Sequence, residues 1–210
     1  MNDEHERVRR TRPVGQSDHV LGPETAPATL IEYGDYECPH CRRLHPIIQE
    51  LMRRAEGLRC VYRHFPLSAI HPHAVRAAEA AEAGAAQGRF WQMHDALFDN
   101  DQPLDDERLA RSAKRAGLDM ERYAQEMAEG VYAARVEEDF KSALYGDGVT
   151  GTPTVYLNGS LLSDNKSFEV LLEAVRGAGA TLSDDGGAER PGLLGRLRKL
   201  RIGKTRLHLR

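Results

Sequence analysis

The chain has 210 residues, 40% hydrophobic and 29% charged, a composition that suits one well-buried globular domain and leaves little room for two. Net charge is −3, yet residues 191–210 carry seven Arg or Lys and no acid, so the preceding residues sum to −10: an acidic body with a basic tail. No stretch approaches the ~20 consecutive apolar residues that span a bilayer as a helix, and three cysteines do not make a disulfide scaffold; two of them, three apart, point to redox catalysis or a metal.

Met1 to Gln16 mixes acids and arginines with no apolar run of the export-signal kind, which leads to the expectation of a flexible polar leader over residues 1–17 and a cytoplasmic location. His19 to Pro27 is turn-rich, and Ala28 to Tyr33, β-branched and aromatic, predicts a strand running straight into Cys38-Pro39-His40-Cys41. From Arg42 onward Leu44, Ile47, Ile48, Leu51 and Ala55 recur at helical spacing, and Pro46 removes one backbone hydrogen bond early in that helix. After the Gly57 stop, Leu58 to Phe65 predicts a second strand, completing a β-α-β unit of the kind parallel strands require.

Residues 73–145 are helical in character, in segments Ala74 to Gln87, Phe90 to Phe98, Asp105 to Ala116, Met120 to Ala128 and Val131 to Tyr145, separated by Gly, Asn, Asp or Pro. Sheet pattern returns at Thr154 to Leu157, turns at Asn158-Gly159 and resumes through Ser160 to Leu162 as a hairpin. An amphipathic helix over Ser167 to Arg176 closes the domain, taken as residues 18–177, with a flexible linker and basic tail over 178–210. The fold class read from this order is α/β, with β-α-β and β-β-α halves interrupted by an all-helical block.

That order matches a thioredoxin-like core. Glu32 to Cys41, Tyr62 to Leu67 and Gly148 to Thr154 resemble the DsbA family of thioredoxin-like thiol-disulfide oxidoreductases, over roughly residues 18–177. The resemblance implies a Cys38–Cys41 redox pair exchanging disulfides with protein or peptide thiols, recycled by a partner protein, with no cofactor. It also implies a strongly oxidising pair, Cys-Pro-His-Cys being the motif of that branch, a cis peptide before Pro153 facing the cysteines, and a buried acid at Glu32 relaying protons to Cys41. Similar domains occur as fusions to ion antiporters, so a non-catalytic binding or redox-regulatory module associated with a membrane transporter stands as the alternative.

The residues support a redox reading in their own right. A Cys at the start of a helix faces free backbone N–H groups and the positive end of the helix dipole, which favours thiolate. Cys38 is therefore the expected nucleophile and Cys41, one turn further in, the resolving thiol. His40 is expected to lend the Cys38 sulfur a hydrogen bond or positive charge. Pro39, Thr152 and Pro153 are the candidate substrate-binding residues, with the Thr152 backbone able to pair with an extended segment by strand addition. Glu32 has an alternative reading as an outward surface carboxylate; Asp35 and Glu37 are expected to be solvated.

Zinc is the competing chemistry, because Cys38, Cys41, Cys60 and His64 have the spacing C-x2-C-x18-C-x3-H. Against it, a lone Cys in a strand is more often a small core hydrophobe, and no metal is expected. His64, His71 and His73 are read as structural or surface residues, and Phe90, Trp91, Met93 and Phe98 as core of the helical block. No nucleic-acid partner is expected. Residues 191–210 interleave leucines with basic residues and are read as a solvated tail, a contact for an anionic membrane, or a docking segment.

Overall fold

The computed structural model describes residues 11–100, 103–162 and 166–182. In chain order they form β1 (His19–Leu21), β2 (Ala28–Gly34), α1 (Pro39–Arg54), β3 (Ala55–Glu56), β4 (Leu58–His64), α2 (Ala74–Ala86), α3 (Phe90–Phe98), α4 (Asp106–Ala116), α5 (Met120–Glu129) and α6 (Ala133–Lys141). A π-helical turn at Ser142–Gly146 follows, then β5 (Thr154–Leu157), β6 (Ser160–Leu161), α7 (Phe168–Gly177) and β7 (Thr181–Leu182).

The main sheet runs β1-β4-β2-β5-β6. β2 lies at its centre with all seven residues buried, parallel to β4 from Ala28 opposite Leu58 to Gly34 opposite His64 and antiparallel to β5. A strand covered on both faces reads as a continuous apolar run, which is why Ala28 to Tyr33 was legible. Gly34 ends it because no side chain fits: a Cβ there would lie 2.5 Å from Tyr62 Cε2. The chain then turns into α1, whose buried residues Cys41, Leu44, His45, Ile48, Leu51 and Met52 repeat at 3.6-residue spacing and face the sheet. Pro46 falls on the exposed side of this helix.

The helical block enters between β4 and β5. Its first helix is alanine-rich, with Ala77, Ala80, Ala81 and Ala83 fully buried, and Gly84 lets α3 approach so closely that a Cβ would lie 2.8 Å from that of Met93. Asp105 and Asp119 cap α4 and α5 by accepting backbone N–H groups, and Gly117 and Gly130 end them in the left-handed conformation. Phe90, Trp91, Met93 and Phe98 are buried in the main core, as expected.

Three local expectations are corrected. The turn-rich stretch after residue 18 contains β1, an edge strand too short to show a pattern, antiparallel to β4. Of the leader, residues 1–10 lie outside the described residues, but 11–17 are not loose: the Arg12 guanidinium donates to Asp139 at 2.9 Å, and its backbone N–H donates to Asp147 Oδ1 at 2.6 Å. The cause is Arg63, fully buried on β4. It donates to both oxygens of Asp18 at 2.7 and 2.8 Å and to the Tyr33 hydroxyl at 2.7 Å, and to the Pro13 carbonyl at 3.1 Å; a buried guanidinium requires such partners. At the other end, residues 181–182 pair with β3 rather than belonging to a linker. The basic tail, residues 191–210, lies outside the described residues.

Candidate active site: a dithiol at a helix N-terminus

Cys38 occupies the N-cap of α1 in an extended conformation (φ −69°, ψ 121°), Pro39 follows in the first turn, and that turn carries no acid. Proline suits this position because its missing N–H would have been unpaired anyway. The chain is held in the turn by the Cys38 N–H donating to the Asp35 carbonyl at 3.1 Å. Both cysteines are free thiols. Cys38 is 4% exposed and Cys41 fully buried, so Cys38 is the more accessible of the two.

The Cys38 thiol is lowered to about 5, chiefly by the hydrogen bond from the Cys41 thiol, against the opposing effect of burial, with further help from the Thr152 side chain and the backbone N–H groups of Cys41 and His40. Cys41 moves the other way, well above the usual thiol range, because it is buried, donates to Cys38 and feels the Glu32 carboxylate. One sulfur is thus ionised near neutrality while its neighbour keeps its proton. In its thiol form Cys38 Sγ donates to the Thr152 carbonyl oxygen at 3.5 Å; on ionisation the sulfur becomes an acceptor.

Glu32 points into the protein, not outward. It is 3% exposed, its Oε1 has no hydrogen-bond partner, and burial, then the charge on Cys38, pushes its carboxyl up to about 8. Pro39 and His40 are exposed, while Thr152 and Pro153 are half-buried; the peptide bond between the latter two is cis. A groove of about 570 Å³ begins beside His40 and Thr152, floored by Leu44, Ile47 and Pro153 and flanked by Arg43 and Lys166.

The structure changes the account of His40. Its imidazole takes a 2.9 Å contact with the Arg43 guanidinium through Nδ1, and residue 40 reaches Cys38 through its backbone N–H. Asp35 is not solvated: it is 1% exposed, and its carboxylate binds the N–H groups of Glu37 at 2.8 Å and Leu67 at 2.9 Å and His71 Nδ1 at 2.7 Å. Glu37 is half-buried and accepts from the His73 and Leu104 N–H groups. These two acids staple the loop before Cys38 to the loop after β4.

The zinc set is not assembled. Among the described residues the converging donor groups are His19, His64 and Glu82, and His45, His94 and Asp95, neither of which holds a cysteine. Cys60 is a core thiol on β4, opposite Leu21 and Leu30, with burial pushing its ionisation up. His64 belongs to the buried network with Glu82, at 3.0 Å. Sequence reading missed His45, His94, Glu82 and Asp95 altogether; the only signal was four polar residues on otherwise apolar helix faces.

A dithiol at the head of the first helix, beside the cis-proline loop that leads into the neighbouring strand, is the arrangement of a thioredoxin-type domain. The thioredoxin family profile matches residues 15–176, and the chain belongs to that family, with a fold of the DsbA type. Among solved structures, a thioredoxin-like oxidoreductase from Silicibacter pomeroyi is 29% identical, with a TM-score of 0.69 over 78% of this chain and 93% of that one. The thiol-disulfide exchange protein alpha-DsbA2 from Wolbachia pipientis is 22% identical, with a TM-score of 0.67 over 77% of this chain and 87% of that one, a likeness of fold alone. Among curated relatives, Na(+)/H(+) antiporter NhaA 3 of Salinispora tropica is 42% identical over 174 residues, 82% of this chain but 26% of that protein. The chain therefore spans about a quarter of that relative's length.

Proposed function

We propose that this domain is a thiol-disulfide oxidoreductase acting on protein or peptide thiols through Cys38 and Cys41. The observation that carries the reading is the split between the two sulfurs: Cys38 lowered to about 5 at the rim, and Cys41 raised and buried behind it. In the oxidising direction a substrate thiolate attacks Cys38 Sγ of the disulfide, the S–S bond breaks and Cys41 leaves with the electron pair. A second substrate thiolate then attacks the substrate sulfur of the mixed disulfide and releases Cys38 as a thiolate. In the reducing direction the Cys38 thiolate attacks one sulfur of a substrate disulfide and the other leaves as a thiolate; Cys41, losing its proton, then attacks Cys38 Sγ of the mixed disulfide and releases the second substrate thiolate.

Glu32 suits the proton step, since a buried carboxyl near 8 can both give and accept a proton at neutral pH. Thr152, whose carbonyl adjoins the sulfur, is the backbone against which an extended substrate aligns; Pro39 and Pro153 border that edge. A stabilised thiolate favours the reduced form and so makes the disulfide oxidising. In a cytoplasmic setting the pair would instead rest as dithiol and serve as reductase or sensor.

The test is an insulin-reduction and a thiol-oxidation assay with wild type and Cys38→Ser; equal rates overturn catalysis by this pair. The reduction potential then assigns the direction.

A second reading draws on the similarity to the Salinispora tropica antiporter: the domain docks on a transporter and regulates it, without turning over free thiols. Cys38→Ser separates the two, because docking alone leaves transporter-dependent sodium tolerance intact in the serine variant.

A further inference from the structure

We propose that His45, His94 and Asp95 form a binding site for a divalent zinc-class cation, set between the active-site helix α1 and helix α3. One donor atom from each lies within 4.8 Å of the others. Two imidazoles and a carboxylate are the donor set that borderline cations such as Zn(II) take, with the fourth position left to water. A tetrahedral site with bonds near 2.0–2.1 Å needs donors about 3.3 Å apart, so closing this cluster takes a movement of roughly an ångström or more.

Two observations mark the cluster as more than core packing. His45 Nε2 is buried without a hydrogen-bond partner, although its side chain is only 8% exposed. It lies 3.3 Å from Asp95 Oδ1, out of line for a hydrogen bond. An orphaned buried nitrogen costs free energy that a metal ligand bond would recover. The other two candidate ligands have hydrogen-bonding neighbours, as metal ligands usually do: the Tyr36 hydroxyl is 3.1 Å from His94 Nδ1, and Gln49 Nε2 donates to Asp95 Oδ1 at 3.1 Å.

Phe98 stacks on His45 with ring centroids 4.8 Å apart and walls the site, and the Asp95 side chain is 11% exposed. The other converging group fits less well. Both imidazoles of His19 and His64 already pair with Glu82 Oε1, at 2.8 and 3.0 Å, and the Arg135 guanidinium stands 3.9 Å from the same oxygen, opposing a second cation.

The experiment titrates Zn(II) into the full chain with the Cys38–Cys41 pair oxidised, so that the thiols do not compete, against a chromophoric chelator. One equivalent is expected to bind, with affinity more than about tenfold weaker in His45→Gln and in Asp95→Asn. Histidine-selective NMR of the wild type needs no variant to fold and shows which imidazoles respond: His45 and His94 are expected to move. No stoichiometric zinc, or zinc that moves His19, His64 or a tail histidine and leaves His45 and His94 in place, overturns the site.

Discussion

Cys38 Sγ lies 3.5 Å from the carbonyl oxygen of Thr152, two residues 114 positions apart in the chain. The proposed nucleophile and the backbone proposed to align its substrate therefore share one edge, and the properties of the sulfur can be tested against its surroundings.

Alkylation of the reduced protein by iodoacetamide should follow the Cys38 thiolate, with a midpoint at about pH 5 and a plateau above neutrality. The same shift appears in stability. Because the folded-state value is depressed, the contribution is complete above the ordinary thiol range and is lost as pH falls through about 5. The melting-temperature advantage of reduced over oxidised protein should shrink steadily from pH 9 to pH 5. A gap independent of pH would show that the thiolate is not stabilised by the fold.

Replacing His40 by Ala should leave the alkylation midpoint within about one unit, since the imidazole contacts Arg43 and the sulfur is held by Cys41 and by backbone N–H groups. A larger rise would restore the ring to the role the sequence suggested for it.

Glu32→Gln should slow the exchange step that protonates or deprotonates Cys41, with the deficit greatest near neutral pH. It should also flatten the stability profile. The Glu32 carboxyl is raised in the fold, so its favourable contribution is intact below the ordinary carboxyl value and is lost as pH rises through about 8. Melting curves of reduced wild type and variant between pH 4 and 9 should diverge in the variant's favour as pH increases; parallel curves would place Glu32 in water.

Removing the carboxylate with Asp18→Ala leaves the Arg63 guanidinium, fully buried, without its bidentate partner. Loss of one member of a buried ion pair costs about 3–5 kcal/mol, measurable by urea unfolding, and the segment around Arg12 should become accessible to protease. Gly84→Ala should cost about 1–3 kcal/mol through the collision with Met93, seen as a lower urea midpoint with an unchanged slope.

The sequence by itself determined the Cys-Pro-His-Cys motif and the order of the longer elements. β2 and β4 are buried on both faces and so are rich in apolar, β-branched and aromatic residues, the helices of the insertion carry 3.6-residue spacing between Gly and Asp punctuation, and Cys-Pro-His-Cys between a strand and a helix falls at the helix N-terminus. Such features are local, and local pattern records them. Tertiary structure decided the rest, because it depends on which distant groups meet. β1 exists only through pairing with β4; Arg12 and Asp18 are held by an arginine more than 40 residues away; Asp35, a carboxylate in a turn, is buried because Leu67 and His71 close over it. The roles of His40 and His45 were likewise invisible in the chain. The first depends on where a side chain turns, and the second on what α3 brings within reach of the helix that carries the cysteines.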